Sequence, residues 1–113
     1  MTSETLSQTS PQEIAVTGLR ICRRIADAWD LSEAEKLKLL GFFSQSNEVR
    51  PDSLKRFSYI LGICKNLRIL FPTGRRANEW VKKPNKAFGG RSALEVMIED
   101  PALIRRYLDA QLV

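Results

Sequence analysis

The sequence predicts an all-α protein, built as two small helical lobes around one long central helix. Apolar residues recur at spacings of three and four, as in Cys22, Ile25 and Trp29, which places them on one face of a helix. Capping boxes at Ser32–Glu35 and Ser92–Glu95 mark the first turns of two more helices. A chain of 113 residues has room for one ordinary domain or two such lobes, and we prefer the lobes.

Composition narrows the class of function. A hydrophobic content of 43% with 27% charged residues is typical of a soluble globular protein. The first ten residues lack the basic and apolar regions of a secretory signal, so we expect a cytoplasmic protein. The chain has no histidine, which removes His-based catalysis and the commonest zinc ligand. We therefore expect no enzyme and no cofactor. Cys22 and Cys64 are expected to be free core thiols, with a disulfide as the alternative.

Charge is unevenly distributed between the two halves of the chain. Residues 1–49 contain five Lys/Arg and seven Asp/Glu, a net charge of −2, whereas residues 50–113 contain thirteen and six, a net charge of +7. An acidic partner is therefore expected to bind the second half.

The N-terminal part begins with a Ser/Thr-rich tail at residues 1–11, which we expect to be disordered. A helix is predicted from Gln12 to Trp29, with Ile14 and Ile21 widening its apolar stripe. A second helix is predicted to end at Gly41. Its expected buried edge is Ala34, Leu37 and Leu40.

The central helix is predicted from Asp52 or Ser53, as its N-cap, to Phe71. Apolar residues cover so much of its circumference that we expect it to be heavily buried, with Phe57 and Leu61 as core residues. Leu61→Asp is then expected to abolish soluble expression. Gly62 suggests close approach of another helix.

Two further helices and a turn complete the second lobe. Thr73 caps a short helix that carries Trp80, which we interpret as a core residue, and Pro84 ends that helix. Gly89-Gly90 allows positive φ in the following turn. Asp100-Pro101 begins the last helix, because proline favours the first helical position.

An ordered set of short strings runs through this second lobe. The strings are Gly62 to Pro72, Ala77, Trp80, Pro84-Asn85, Phe88 to Leu94 and Arg106 to Ala110. Together they resemble the toxin-binding domain of the Xre/MbcA/ParS-type antitoxins, the partners of RES-domain toxins. The resemblance covers the chain from about Leu54 to its end.

The resemblance implies a non-enzymatic antitoxin of a type II toxin-antitoxin system. It would occlude the active site of a RES-domain toxin that consumes NAD or transfers ADP-ribose from it, with the C-terminal region near the toxin's cleft. The residues we expect to bind toxin are Asn85, Phe88, Arg91, Arg105, Arg106, Tyr107, Asp109, Leu112 and Val113. Asp109 or the C-terminal carboxylate is expected to face the cleft. The domains are predicted as 12–51, a helix-turn-helix lobe, and 52–113, the toxin-binding domain.

DNA binding by an autoregulator of its own operon is the alternative function. Candidate DNA contacts are Arg20, Arg24 and Arg50, although we prefer to interpret the first two as part of a solvated basic face. The resemblance implies a recognition helix at Phe42 to Pro51, but this segment departs from the pattern, since from Ser44 onward it has one apolar residue and one cation. We therefore expect DNA binding to be weak or absent. A complete helix-turn-helix and a shortened structural or dimerising lobe both stay open. Expected assemblies are a homodimer or a hetero-oligomer with the toxin, with no membrane partner.

Overall fold

The computed structural model describes residues 11–41 and 53–112. Its helices are α1 (Pro11–Ala28), α2 (Glu33–Leu40), α3 (Ser53–Leu70), α4 (Gly74–Lys82), α5 (Ala93–Glu99) and α6 (Pro101–Gln111), with a 3-10 turn at Lys86–Phe88. The two described stretches contain no β-strand and only an isolated bridge between Pro84 and Ser92. The prediction of an all-α fold is confirmed.

Some predictions fall outside those two stretches. They concern the tail at 1–10, the recognition segment with Arg50, the Asp52 cap and the C-terminal Val113. The helix-turn-helix therefore stays a prediction, with only α1 and α2 described. None of the described helices is both long and apolar enough to cross a membrane.

Helix α3 is central, because it packs against both α1 and α6. All six helices contribute to a single core. Its largest fully buried side chains are Phe57, Leu39, Leu40, Ile60, Ile63, Leu67, Met97, Ile104, Leu108, Val81 and Cys22. The predicted burial of Phe57 is confirmed.

Leu61 is a correction, because its side chain is 38% exposed and is not part of the core. Successive residues in a helix are rotated by about 100° about its axis. When Ile60 points into the core, Leu61 therefore points away from it. Ile14 and Ile21 on α1 are likewise exposed. On α2, Ala34 is exposed, whereas Leu39, which was not predicted as part of the buried edge, is fully buried. The apolar faces predicted for these helices were therefore wider than the faces that are buried.

The helix ends agree with the local signals in the sequence. Ser32 and Ser92 each form a capping box with the glutamate three residues later, and Thr73 caps α4 by accepting from the Arg76 amide. Asp100 accepts from the Ala102 amide ahead of Pro101. Gly41 adopts a φ of 84° at the end of α2, in the left-handed region that glycine tolerates best.

Arg56 on α3 joins the C-terminal ends of two other helices. Its Nη2 donates to the Ile98 carbonyl at 2.6 Å and the Met97 carbonyl at 3.3 Å in α5. The same guanidinium donates to the carbonyls of Lys38 and Leu39 in α2. Last-turn carbonyls have no partner within their own helix and carry partial negative charge, so one cation satisfies both ends.

Gly62 allows the close approach that its position in α3 suggested. An ideal Cβ there would lie 1.7 Å from Nη1 of Arg105, whose guanidinium crosses this point from α6. Cys22 and Cys64 are free thiols, as predicted, and the Cys22 Sγ donates to the Phe57 carbonyl at 3.7 Å.

Candidate functional site

Four aromatic rings form a cluster where α4, the 3-10 turn and α6 meet. Trp80 stands at its centre, with ring centroids 6.0 Å from Phe71, 6.1 Å from Phe88 and 6.3 Å from Tyr107. The Phe88 and Tyr107 rings meet edge to face at 5.0 Å. Such pairs add about 0.5–1.5 kcal/mol each beyond the area they bury. All four side chains pack against the core while remaining partly accessible. The cluster therefore stabilises the fold and also forms part of the protein surface.

Asn85 organises the turn that carries Phe88. Its Oδ1 accepts from the Ala87 amide at 2.9 Å, and its carbonyl accepts from the amides of Phe88 and Gly90. Gly89 and Gly90 have φ of 67° and 87°, as the sequence predicted. Asn85 therefore has a structural role in shaping the turn, whatever else it contacts.

Arg91 lies in an ion-pair network with α5. Its Nη2 is 2.8 Å from Oε1 of Glu99 and its Nη1 donates to Oε2 at 3.0 Å, while Nε lies 3.8 Å from Glu95. The Arg91 hydrogen bond lowers the pKa of Glu99, and the pKa of Arg91 is correspondingly raised. The guanidinium is thus held in place on the surface by two carboxylates.

A second polar group links α6 to α3. The buried Asn66 donates through Nδ2 to Oδ1 of Asp109 at 2.7 Å, and Arg105 donates through Nε to the same oxygen at 3.2 Å. The Asn66 hydrogen bond, followed by the Arg105 contacts, lowers the pKa of Asp109. The Asp109 carboxylate therefore already has hydrogen-bond partners in its own chain. This argues against the expectation that it faces a partner's cleft.

The remaining predicted contacts lie along α6. Arg106 is exposed, with a long hydrogen bond from its Nε to the Ala102 carbonyl at 3.4 Å. Leu112 is 40% exposed just beyond the helix. Among the predicted toxin contacts, Phe88 therefore packs against Tyr107, and Arg105 pairs with Asp109. Arg91 instead pairs with the glutamates of α5.

The candidate DNA contacts Arg20 and Arg24 are exposed on α1. Asp27 of α1 forms an ion pair with Lys36 of α2. The predicted recognition segment, Phe42 to Pro51, lies outside the described residues.

Cys22 is a buried thiol in the core. Burial raises the pKa of the Cys22 thiol to about 12, so it is a poor nucleophile. The described residues contain no group of three or more Cys, Asp or Glu placed to hold a metal ion.

Sequence reasoning missed Asn66 and Arg56. Asn66 carried a usable signal, since it is a polar residue three positions after Ile63 on the core-facing side of α3. Arg56 carried none, because nothing local distinguishes it from the exposed Lys55.

Comparison with known proteins gives two matches. A family model described as the antitoxin Xre/MbcA/ParS C-terminal toxin-binding domain matches residues 66–111, which contain the aromatic cluster, the turn and α6. The uncharacterized protein y4oB of Sinorhizobium fredii (strain NBRC 101917 / NGR234) is 43% identical over 101 residues, covering 78% of each chain. No solved structure matches the chain significantly.

Proposed function

We propose a function from one premise: the chain belongs to the family of antitoxins that carry the Xre/MbcA/ParS C-terminal toxin-binding domain, and its partner is a toxin. The finer proposal is that this toxin has a RES domain and turns over NAD. The antitoxin acts by occluding the toxin's active site, without chemistry of its own. The lobe formed by α4, the turn, α5 and α6 carries this activity.

The aromatic cluster is the observation that supports this assignment. It fixes the Phe88 turn to α6 through the contact with Tyr107, so both present a single rigid surface. Preorganised aromatic and arginine side chains lose little conformational entropy on binding, and they dominate binding energy at many interfaces. Tyr107 and Arg106 are adjacent on α6, and Arg106 is exposed.

The end of α6 is the part that we place at the toxin's cleft. The Asp109 carboxylate is occupied by Asn66 and Arg105, so the residues beyond it are better candidates for insertion. Leu112 offers exposed apolar surface there.

Co-expression with the product of the neighbouring gene tests the proposal. We expect a stable complex and loss of the toxin's NAD turnover on complex formation. The matched variants are Tyr107→Ala, which should weaken the complex by tenfold or more, about 1.4 kcal/mol, and Lys55→Ala on the exposed part of α3, which should not. A toxin that stays fully active in a stoichiometric complex would contradict occlusion.

A further inference from the structure

A groove between α1 and α3 is a second surface, distinct from the aromatic cluster. Its volume is about 370 Å³, and roughly 150 Å³ accommodates a benzene ring, so it has room for about two large apolar side chains. It is lined by Ile21, Ile25, Leu61, Cys64, Lys65, Arg68 and Ile69. Only Arg68 and Ile69 belong to the matched toxin-binding span.

Three apolar side chains that line the groove are exposed. Ile69 is 61% exposed, and Ile21 and Leu61 are close to 40% exposed. They line one groove between two helices, and Ile14, two helical turns before Ile21 on α1, is also exposed. Contiguous apolar patches of this kind mark binding surfaces more often than isolated exposed residues do.

Cations border the groove on both helices. Lys65 and Arg68 line it on α3, and Arg24 is exposed three residues after Ile21 on α1, at neighbouring positions of one helix surface. The lining contains no carboxylate. Lys65 and Arg68 form no ion pair with another described residue.

We infer that the groove binds an amphipathic helix of a partner protein, with apolar residues at i, i+3, i+4 and i+7 and carboxylates along its edges. Two packed helices offer a trough suited to the apolar face of a third. Carboxylates on that third helix would pair with Lys65, Arg68 and Arg24. A symmetric pairing of two copies is disfavoured, because it would bring the same cations together. This inference goes beyond the toxin contact and does not depend on it.

Peptide binding to the full chain tests the inference directly. The probe is a helical peptide of about five turns with a leucine face and glutamate flanks. Its control has the same leucine face with lysine flanks. We expect the glutamate peptide to bind at least tenfold more tightly than the lysine peptide, with the difference shrinking in high salt.

Variants then locate the binding. The double variant Lys65→Glu/Arg68→Glu should reverse the preference between the two peptides, and Ile69→Ser should weaken both. These side chains are exposed or border the groove, and far-ultraviolet circular dichroism confirms that each variant is folded. Equal binding of the two peptides, or an unchanged preference in the double variant, would overturn the inference.

The oligomeric state provides the other decisive outcome. In sedimentation experiments on the isolated chain, Ile69→Ser should leave the oligomeric state unchanged. If the wild type is a dimer and Ile69→Ser is a monomer, the groove joins copies of this chain and the inference is wrong. Failure of both peptides to bind would also overturn it, while leaving the toxin proposal untouched because no toxin is present.

Discussion

The Asn66 side-chain amide donates a hydrogen bond to the Asp109 carboxylate at 2.7 Å, and this bond joins the central helix to the last one. Asn66 is only 5% exposed, so without Asp109 its amide would be left without its partner in a buried position. An unsatisfied buried polar group costs roughly 1–3 kcal/mol. Asp109 is therefore part of the structure that holds α6 in place.

The first prediction concerns pH. The folded state lowers the pKa of Asp109, chiefly through Asn66, so the ionised form stabilises the fold. That contribution should be complete above about pH 4, the ordinary range for aspartate, and should be lost as pH falls through the lowered pKa. Thermal unfolding of wild type and Asp109→Asn should show a gap in melting temperature near neutral pH that narrows in acid. A gap that is independent of pH would contradict this role.

The second prediction concerns Arg56. Arg56→Met should lower the free energy of unfolding by about 3 kcal/mol, because hydrogen bonds to charged groups contribute roughly 1.5–3 kcal/mol and several carbonyls lose their donor. Urea denaturation measures the change. Lys55→Met is the control, since Lys55 is the exposed neighbour on the same helix, and it should change stability by less than about 0.5 kcal/mol. Similar losses in both variants would argue against the bridge.

The third prediction separates two adjacent residues of α3. Ile60 is fully buried and Leu61 is 38% exposed. Ile60→Asp should therefore prevent folding, because it buries an unpaired charge, whereas Leu61→Asp should give soluble, folded protein. Expression yield and circular dichroism compare the two variants. If Leu61→Asp also fails to fold, the groove side of α3 is covered in the native protein.

Local signals predicted the helix ends well, and the lateral packing of α3 less well. The Ser92–Glu95 box depends on residues three apart, so the sequence contains all the information that it needs. The exposure of Leu61 depends on where α1 and α6 dock, and apolar residues around most of α3 leave that choice open. Arg56 shows the same limit, because its four carbonyl partners come from helices distant in sequence.

The candidate site was predicted in part for similar reasons. Phe88 and Tyr107 were both predicted as toxin contacts from the sequence, but their contact with each other depends on the tertiary structure. Arg91 was chosen as a toxin contact, and its guanidinium also pairs with Glu99 eight residues later. That spacing spans a turn and a helix, so no simple periodicity indicates it.

The fourth prediction is weak sequence-specific DNA binding by the isolated chain. Residues 1–49 carry a net charge of −2, and groove-reading helices need nearby cations for affinity. Gel shifts with the DNA upstream of the gene, at physiological salt, measure this. Tight binding that Arg20→Ala/Arg24→Ala removes would instead establish α1 as a DNA contact.

The fifth prediction concerns the end of α6. Truncation after Ala110 removes the exposed Gln111 and Leu112, together with Val113, and it keeps the Asn66–Asp109 bond. The melting temperature should therefore change little. Leu103→Ser is the matched control, because Leu103 is another exposed leucine, 48% accessible, near the start of α6.

Inhibition of the toxin's NAD turnover by these three proteins tests the central claim most directly. Titration of one toxin preparation with full-length chain, the truncation and Leu103→Ser gives three inhibition constants. Occlusion by the end of α6 predicts inhibition at least tenfold weaker for the truncation, about 1.4 kcal/mol of lost binding, and unchanged for Leu103→Ser. Superimposable curves for full-length and truncated chains would contradict the claim and place the inhibitory contact elsewhere in the lobe.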